Sequence, residues 1–128
     1  MNPKQMIISE FVKESTKKYK NKIDEILLFG SVARGNYTNE SDIDILVITN
    51  RDRYDMLRKL SEISFDIMLK YRNYISVKTL SAEEFNKLQR MNSSFIRNIL
   101  KEGVILYERG KTTHREGILK AEGSKIAL

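Results

Sequence analysis

The sequence predicts an α/β protein in which a three- or four-stranded sheet is backed by helices within one compact domain. Three observations carry that reading. Two oily runs, residues 23–29 and 42–49, have strand length and are separated by a loop rich in Gly, Asn, Thr and Ser. The segments around them repeat apolar residues at three- and four-residue steps, the period of a helix with one buried face. With 128 residues, 41% of them hydrophobic, the chain can bury one modest core.

Taken in order, Ile7, Ile8, Phe11, Val12, Ser15 and Tyr19 share one face of a helix over residues 4–20, and Pro3 suits its first turn. Residues 23–29 are apolar without alternation, as in a strand covered on both faces. Residues 35–41 have loop composition, and residues 42–49 form the second strand. Leu57, Leu60, Ile63, Ile67 and Tyr71 place a long helix over residues 54–71, with Asn73 as its stop. Residues 74–80 alternate and are rich in β-branched side chains, which predicts a third strand. Ser81 and Glu84 form a capping box for a helix reaching Arg90. Another helix begins near Asn92 or Ser93 and ends at Gly103, before a short strand over residues 104–107. The folded domain is expected over residues 1–109, with residues 110–128 as a tail that frays or waits for a partner. The methionines and phenylalanines read as core filler.

Composition excludes several classes. Cysteine is absent and His114 is the lone histidine, so a bound metal would be held by oxygen. No apolar run approaches the roughly 20 residues of a membrane span, and residues 1–16 lack a signal-peptide core. The expected location is the cytoplasm, without membrane contact. Lys and Arg number 23 against 17 Asp and Glu, a net charge of +6, which suits RNA, DNA or a nucleoside triphosphate. A solvated helix end carrying Lys17, Lys18, Lys20 and Lys22 accounts for part of that charge, so charge alone does not select nucleic acid.

The chemistry concentrates in GSVARGNYTNESDID, residues 30–44. On a strand, Asp42 and Asp44 point to one face while Ile43, Ile45 and Val47 point to the other. Leu46 and Ile48 continue the aspartates' face into the core. Leaving such charges unpaired at an apolar rim costs on the order of several kcal/mol, so a cation is expected there. Mg²⁺, or Mn²⁺ in its place, suits one or two carboxylates plus substrate phosphates. A turn-forming role explains Asp42 beside Ser41 but leaves Asp44 unexplained. Arg34 has two readings, an ion pair with either aspartate or a phosphate contact. Gly30 allows close backbone approach to a ligand, and Ser31, opening a short helical turn, offers hydroxyl and N–H donors to phosphate oxygens. A triphosphate held there, sharing Mg²⁺ with Asp42 and Asp44, exposes its α-phosphorus to in-line attack. The expected reaction is nucleotidyl transfer from ATP or another NTP. Tyr37, in the loop, reads as a surface residue, with base stacking as the alternative.

Gly30-Ser31, Arg34-Gly35, Ser41-Asp42 and Asp44, spaced G-S-x-x-R-G-x-x-x-x-x-S-D-x-D between hydrophobic strands, resemble the signature of the DNA polymerase β-like nucleotidyltransferase superfamily. The short chain is similar to the minimal nucleotidyltransferase (MNT) proteins, often encoded beside a HEPN-domain ribonuclease as a toxin–antitoxin pair. The likeness runs from about residue 4 to residue 109. It implies a mixed β-sheet with flanking helices, a nucleotide held by Gly30, Ser31, Arg34, Gly35 and Ser41, and Mg²⁺ on a catalytic pair, Asp42 and Asp44. Some minimal members transfer AMP from ATP to a tyrosine hydroxyl of the HEPN toxin, so the resemblance implies an antitoxin with such a partner.

Fully equipped members of that superfamily carry a third carboxylate on the later strand. The matching position here is Ser76 or its same-face neighbour Lys78, and neither is acidic. Serine neither balances a second divalent ion nor acts as a base at neutral pH, and general-base help is worth about 10²–10⁴ in rate. Glu62 and Asp66 read as ordinary positions of the long helix, and Glu83 and Glu84 belong to the cap. Three arrangements remain open: slow one-metal transfer, a third carboxylate from a partner chain, or a catalytically silent nucleotide-binding antitoxin acting by contact. A nucleic-acid-binding adaptor is the reading from a different class. A homodimer is also expected, because so small a sheet leaves an open cleft.

Overall fold

The computed structural model describes residues 2–110. Helix α1 (Pro3–Tyr19) opens with a reciprocal cap, in which Gln5 N donates to the Asn2 side chain and Asn2 N donates to the Gln5 side chain. A 3₁₀ turn (Lys20–Lys22) leads into β1 (Ile23–Phe29), followed at once by the short helix α2 (Gly30–Arg34). After a loop come β2 (Ile43–Thr49), α3 (Arg53–Tyr71), β3 (Ile75–Ser81), α4 (Ala82–Arg90), α5 (Ser94–Glu102) and β4 (Val104–Glu108). The expected capping box of α4 is present, with Glu84 N donating to Ser81 Oγ and Ser81 N donating to the Glu84 carboxylate.

The strands lie in the order β3-β2-β1-β4. β1 is antiparallel to both neighbours, whereas β2 and β3 are parallel, so the sheet is mixed. A parallel pair needs a crossover connection, and α3 supplies it. One face of the sheet, with Ile26, Leu28, Ile43, Ile45 and Val47, packs against Ile8 and Phe11 of α1 and Met56, Leu60 and Ile63 of α3. The other face, with Leu27, Leu46, Ile48 and Leu80, packs against α4 and α5 through Phe85, Leu88, Ile96 and Ile99. Phe29 meets Phe95 edge to face, with centroids 5.4 Å apart. Burial on both sides explains why β1 and β2 read as unbroken oily runs.

Several boundaries differ from expectation for local reasons. β2 starts at Ile43, whose N–H donates to Tyr74 O at 3.0 Å, leaving Asp42 as the last loop residue. α3 ends at Tyr71 as expected, but its stop is Arg72 rather than Asn73: Arg72 takes the left-handed conformation, with φ 59, and its N–H returns to Met68 O. β3 runs one residue further along than expected, because Ser81 closes the strand and caps α4 at once. Methionine is not uniformly core: Met56 is fully buried, but Met6 and Met91 are largely exposed, on the outside of α1 and just past α4. The expected tail beyond Gly110, with His114, lies outside the described residues. Among the described residues, no helix is long and apolar enough to cross a membrane.

At the end of the sheet away from Asp44, the β1–β4 register sets Glu25 opposite Glu108. Burial, and then the facing Glu108 carboxylate, push the Glu25 carboxyl up to about 7 from its ordinary 4.5. A carboxyl raised on folding stabilises the protein while it is protonated, and that stabilisation is lost as pH rises from 4.5 through about 7. Glu25→Gln keeps the shape and the hydrogen-bond donor. It is expected to raise stability above about pH 8 by roughly 1–2 kcal/mol, the shift discounted for solvent screening, and to change little below about pH 4. Urea unfolding at both pH values measures this, and an equal effect at both would assign the change to packing.

Candidate functional site

The chain leaves β1 at Phe29 and turns directly into α2. Gly30 makes that turn with φ +78, and a Cβ at this position would press into the Asp44 carboxylate, against Oδ2 and 3.0 Å from Cγ. Glycine is therefore required twice, by the backbone conformation and by the neighbouring side chain. The contact follows from strand pairing, since Phe29 and Asp44 are register partners. Val32 and Ala33 anchor α2 in the core, leaving Ser31 half-buried and Arg34 exposed. Gly35 closes the helix with φ +85, donating to the carbonyls of Ser31 and Val32 at 2.9 and 3.2 Å. A Cβ there would meet open space, so only the backbone conformation selects glycine.

Asp42 is delivered by a turn. Ser41 N donates to Thr38 O at 3.1 Å, and Thr38 N donates to Ser41 Oγ at 3.0 Å, so the Ser41 hydroxyl closes the turn from within. Beneath it lies Lys4, 4% exposed. Its ammonium donates to Asn39 O at 3.0 Å, Ser41 O at 2.6 Å and Asn73 Oδ1 at 2.8 Å. Tyr37 is half-buried against the core, its ring centroid 5.9 Å from Lys4 Nζ. It is thus a packing residue rather than a free surface ring.

Asp42 is exposed and Asp44 half-buried. Burial first, and then the Asp42 charge, raise the Asp44 carboxyl above its ordinary value, opposed by Lys78 and Arg34. Among the described residues, neither aspartate forms an ion pair. Arg34 instead reaches Glu102 at 3.6 Å, tying α2 to α5, so its pairing with an aspartate is not formed. Two carboxylates without an ion pair at the rim of an apolar face are an oxygen donor set that fits Mg²⁺ or Mn²⁺ completed by phosphate oxygens. They do not make a self-sufficient cage: among the described residues, no group of three or more metal-binding side chains occurs.

The parallel register of β2 and β3 puts Ser76 opposite Asp44 and Lys78 opposite Leu46. The side chain beside Asp44 is therefore a hydroxyl, and the next on that face is a cation. Glu62 and Asp66 are exposed on α3, which covers the opposite face of the sheet. An open hollow of about 670 Å³ beside Asp42 is lined by Asn39, Glu40, Leu69, Arg72 and Tyr74. A second, of about 400 Å³, follows Leu46, Lys78 and Leu80 away from Asp44, walled by Leu88 and Phe95. Sequence reasoning missed Lys4, although its spacing from Ile7, Ile8 and Phe11 puts it on the apolar face of α1.

The model of the family described as "Polymerase beta, Nucleotidyltransferase" matches residues 10–112. A protein of Methanocaldococcus jannaschii named "Putative protein adenylyltransferase" is 45% identical over 100 residues, spanning 78% of this chain and 94% of that protein. A second protein of that organism, under the same description, is 32% identical over 106 residues, spanning 80% of this chain and 71% of its own length. The crystal structure of a "putative nucleotidyltransferase" from Sulfolobus solfataricus shares the fold, with a TM-score of 0.58 and 22% identity over 84% of this chain and 82% of that one.

Gly30→Ala is expected to lower stability by about 2–4 kcal/mol through the clash with Asp44 and the positive φ. In an Asp44→Ala background the clash is gone, and only about 1–2 kcal/mol from the backbone should remain. A double-mutant cycle by urea unfolding reads the difference, and strict additivity would show that the two residues do not touch.

Proposed function

This chain belongs to the polymerase β nucleotidyltransferase family, and from that membership we propose that it transfers AMP from MgATP, or another NTP, to a hydroxyl of a partner protein. The observation that carries the reading is the contact between Gly30 and Asp44, which brings the two halves of the motif to one point. In this reading the Gly30 backbone and the N–H and hydroxyl of Ser31 hold triphosphate oxygens. Arg34, exposed at the end of α2, contacts the outer phosphates, while Gly35 keeps that helix short. Ser41 holds the turn that presents Asp42. Asp42 and Asp44 hold Mg²⁺, or Mn²⁺, which when bound supplies Lewis-acid stabilisation of charge on the α-phosphate. The acceptor oxygen bonds to the α-phosphorus as the bond to the bridging oxygen breaks. Pyrophosphate leaves, and the hydroxyl proton passes to solvent.

A protein acceptor is supported by the names of the two Methanocaldococcus jannaschii relatives. A HEPN-type toxin as that acceptor, with the chain acting as its antitoxin in the cytoplasm, rests on the resemblance to minimal nucleotidyltransferases. A second copy of the chain walling the open cleft belongs to the same reading. Ser76 opposite Asp44 favours one alternative, an antitoxin of the same fold that binds nucleotide and silences its partner by contact.

Transfer of label from α-phosphate-labelled ATP to the product of a neighbouring HEPN gene, or to host-lysate protein, tests the proposal. Asp44→Asn is expected to reduce labelling by at least about 10²-fold. It should not lower the melting temperature, because a half-buried carboxylate held above its ordinary pKa costs folding energy that an amide does not. No labelled band, with partner binding retained in Asp42→Asn/Asp44→Asn, would favour the contact reading. Ser76→Asp is expected to raise the transfer rate by supplying the missing base, up to about 10²-fold. An unchanged rate would mean that this position takes no part in the reaction.

A further inference from the structure

We propose that Lys4 is a positioning residue for the candidate metal site: it holds the backbone that sets where Asp42 stands. The inference rests on the reading of Asp42 as a metal ligand. Lys4 occupies a place on α1 where an apolar residue would pack, yet it carries a buried ammonium whose three hydrogen-bond partners are all neutral oxygens. A buried charge without a carboxylate contact weakens a fold relative to a methionine of similar shape. Packing therefore gives no account of a lysine here.

The three acceptors give that account. Two are carbonyls of residues 39 and 41, in the turn that ends at Asp42, and the third is Asn73 Oδ1, at the start of the segment entering β3. Asn73 Nδ2 also donates to Ser41 O at 3.3 Å, so the carbonyl immediately before Asp42 takes two donors. Immediately after Asp42, Ile43 N donates to Tyr74 O at 3.0 Å. Asp42 itself is exposed and has no ion pair among the described residues, so its backbone neighbours decide its position. The ammonium also attracts the Asp42 charge across the turn, which partly offsets the lowering of its own pKa by burial. Lys4 thus joins α1, the turn and the entry to β3 at one nitrogen, and it does so behind the carboxylate rather than at it.

Mn²⁺ is the probe, titrated without and with ATP against wild type, Lys4→Met, Asn73→Ala and Asp42→Asn by water-proton relaxation, with backbone hydrogen exchange and melting measured on the same proteins. Lys4→Met is expected to weaken Mn²⁺ binding about 10-fold, as the loss of a residue supporting a ligand does. It should also speed exchange at the Ser41 and Ile43 amides while β1 keeps its protection. Asn73→Ala should act in the same direction with smaller effect, and it carries the comparison if Lys4→Met does not fold. A lower melting temperature with unchanged Mn²⁺ affinity and unchanged exchange at these amides would make Lys4 a packing residue and overturn the proposal. If wild type binds Mn²⁺ no better than Asp42→Asn, with ATP present as well as without it, the metal reading fails separately. Exchange then decides whether Lys4 positions the turn: faster exchange supports it and unchanged exchange overturns it.

Discussion

A carboxylate resting against a backbone carbon that has no side chain is the constraint on which the candidate site depends. Asp44 takes the volume a Gly30 side chain would need, and it can do so only because Phe29 and Asp44 are partners across β1 and β2. A slip of one residue would turn Asp44 toward α1 and α3 and bring Ile43 and Ile45 to the other face. The packing of Ile43, Ile45 and Val47 against α1 and α3 therefore ties the chemistry to the core. β1 runs straight into α2 at Gly30, so the short helix starts against Asp44.

Around that contact the fold keeps charge where apolar packing can sustain it. Asp44, Lys4 and Glu25 are each displaced from their ordinary ionisation by burial before any other cause. The first two flank the candidate site, and the third lies at the far end of the sheet. Two apolar clusters, one on each face, offset this cost and cover β1 and β2 from both sides. Polar ties join the elements at the rim: Arg34 to Glu102, Arg109 to Asp24, and Lys70 with Tyr71 to Glu10.

Under the proposed function, Ser76 stands where a third carboxylate would serve the reaction. In that reading its place opposite Asp44 matters, since a carboxylate there would add a ligand for a second cation and a hydroxyl does not. Lys78, one step along the same face, already acts on the Asp44 charge. Lys78 and Arg34 thus bring positive charge toward Asp44 without forming an ion pair with it.

The local order of residues determined most of the elements. Unbroken apolar runs, helical periods, Ser81 with Glu84, and a glycine closing the first strand are short-range patterns, and each reports a backbone conformation or a buried face without reference to distant chain. Strand order was not legible that way, nor was the partner of Arg34, which turned from the aspartates to Glu102. Lys4 was missed because a lysine on a helix reads as solvated until the oxygens around it are known, and those oxygens lie 35 to 69 positions away. Sequence alone thus determined which groups this protein carries and which way each segment folds. Tertiary structure alone decided which groups meet, because a strand register and a buried ammonium satisfy their hydrogen bonds with whatever the packed chain brings alongside.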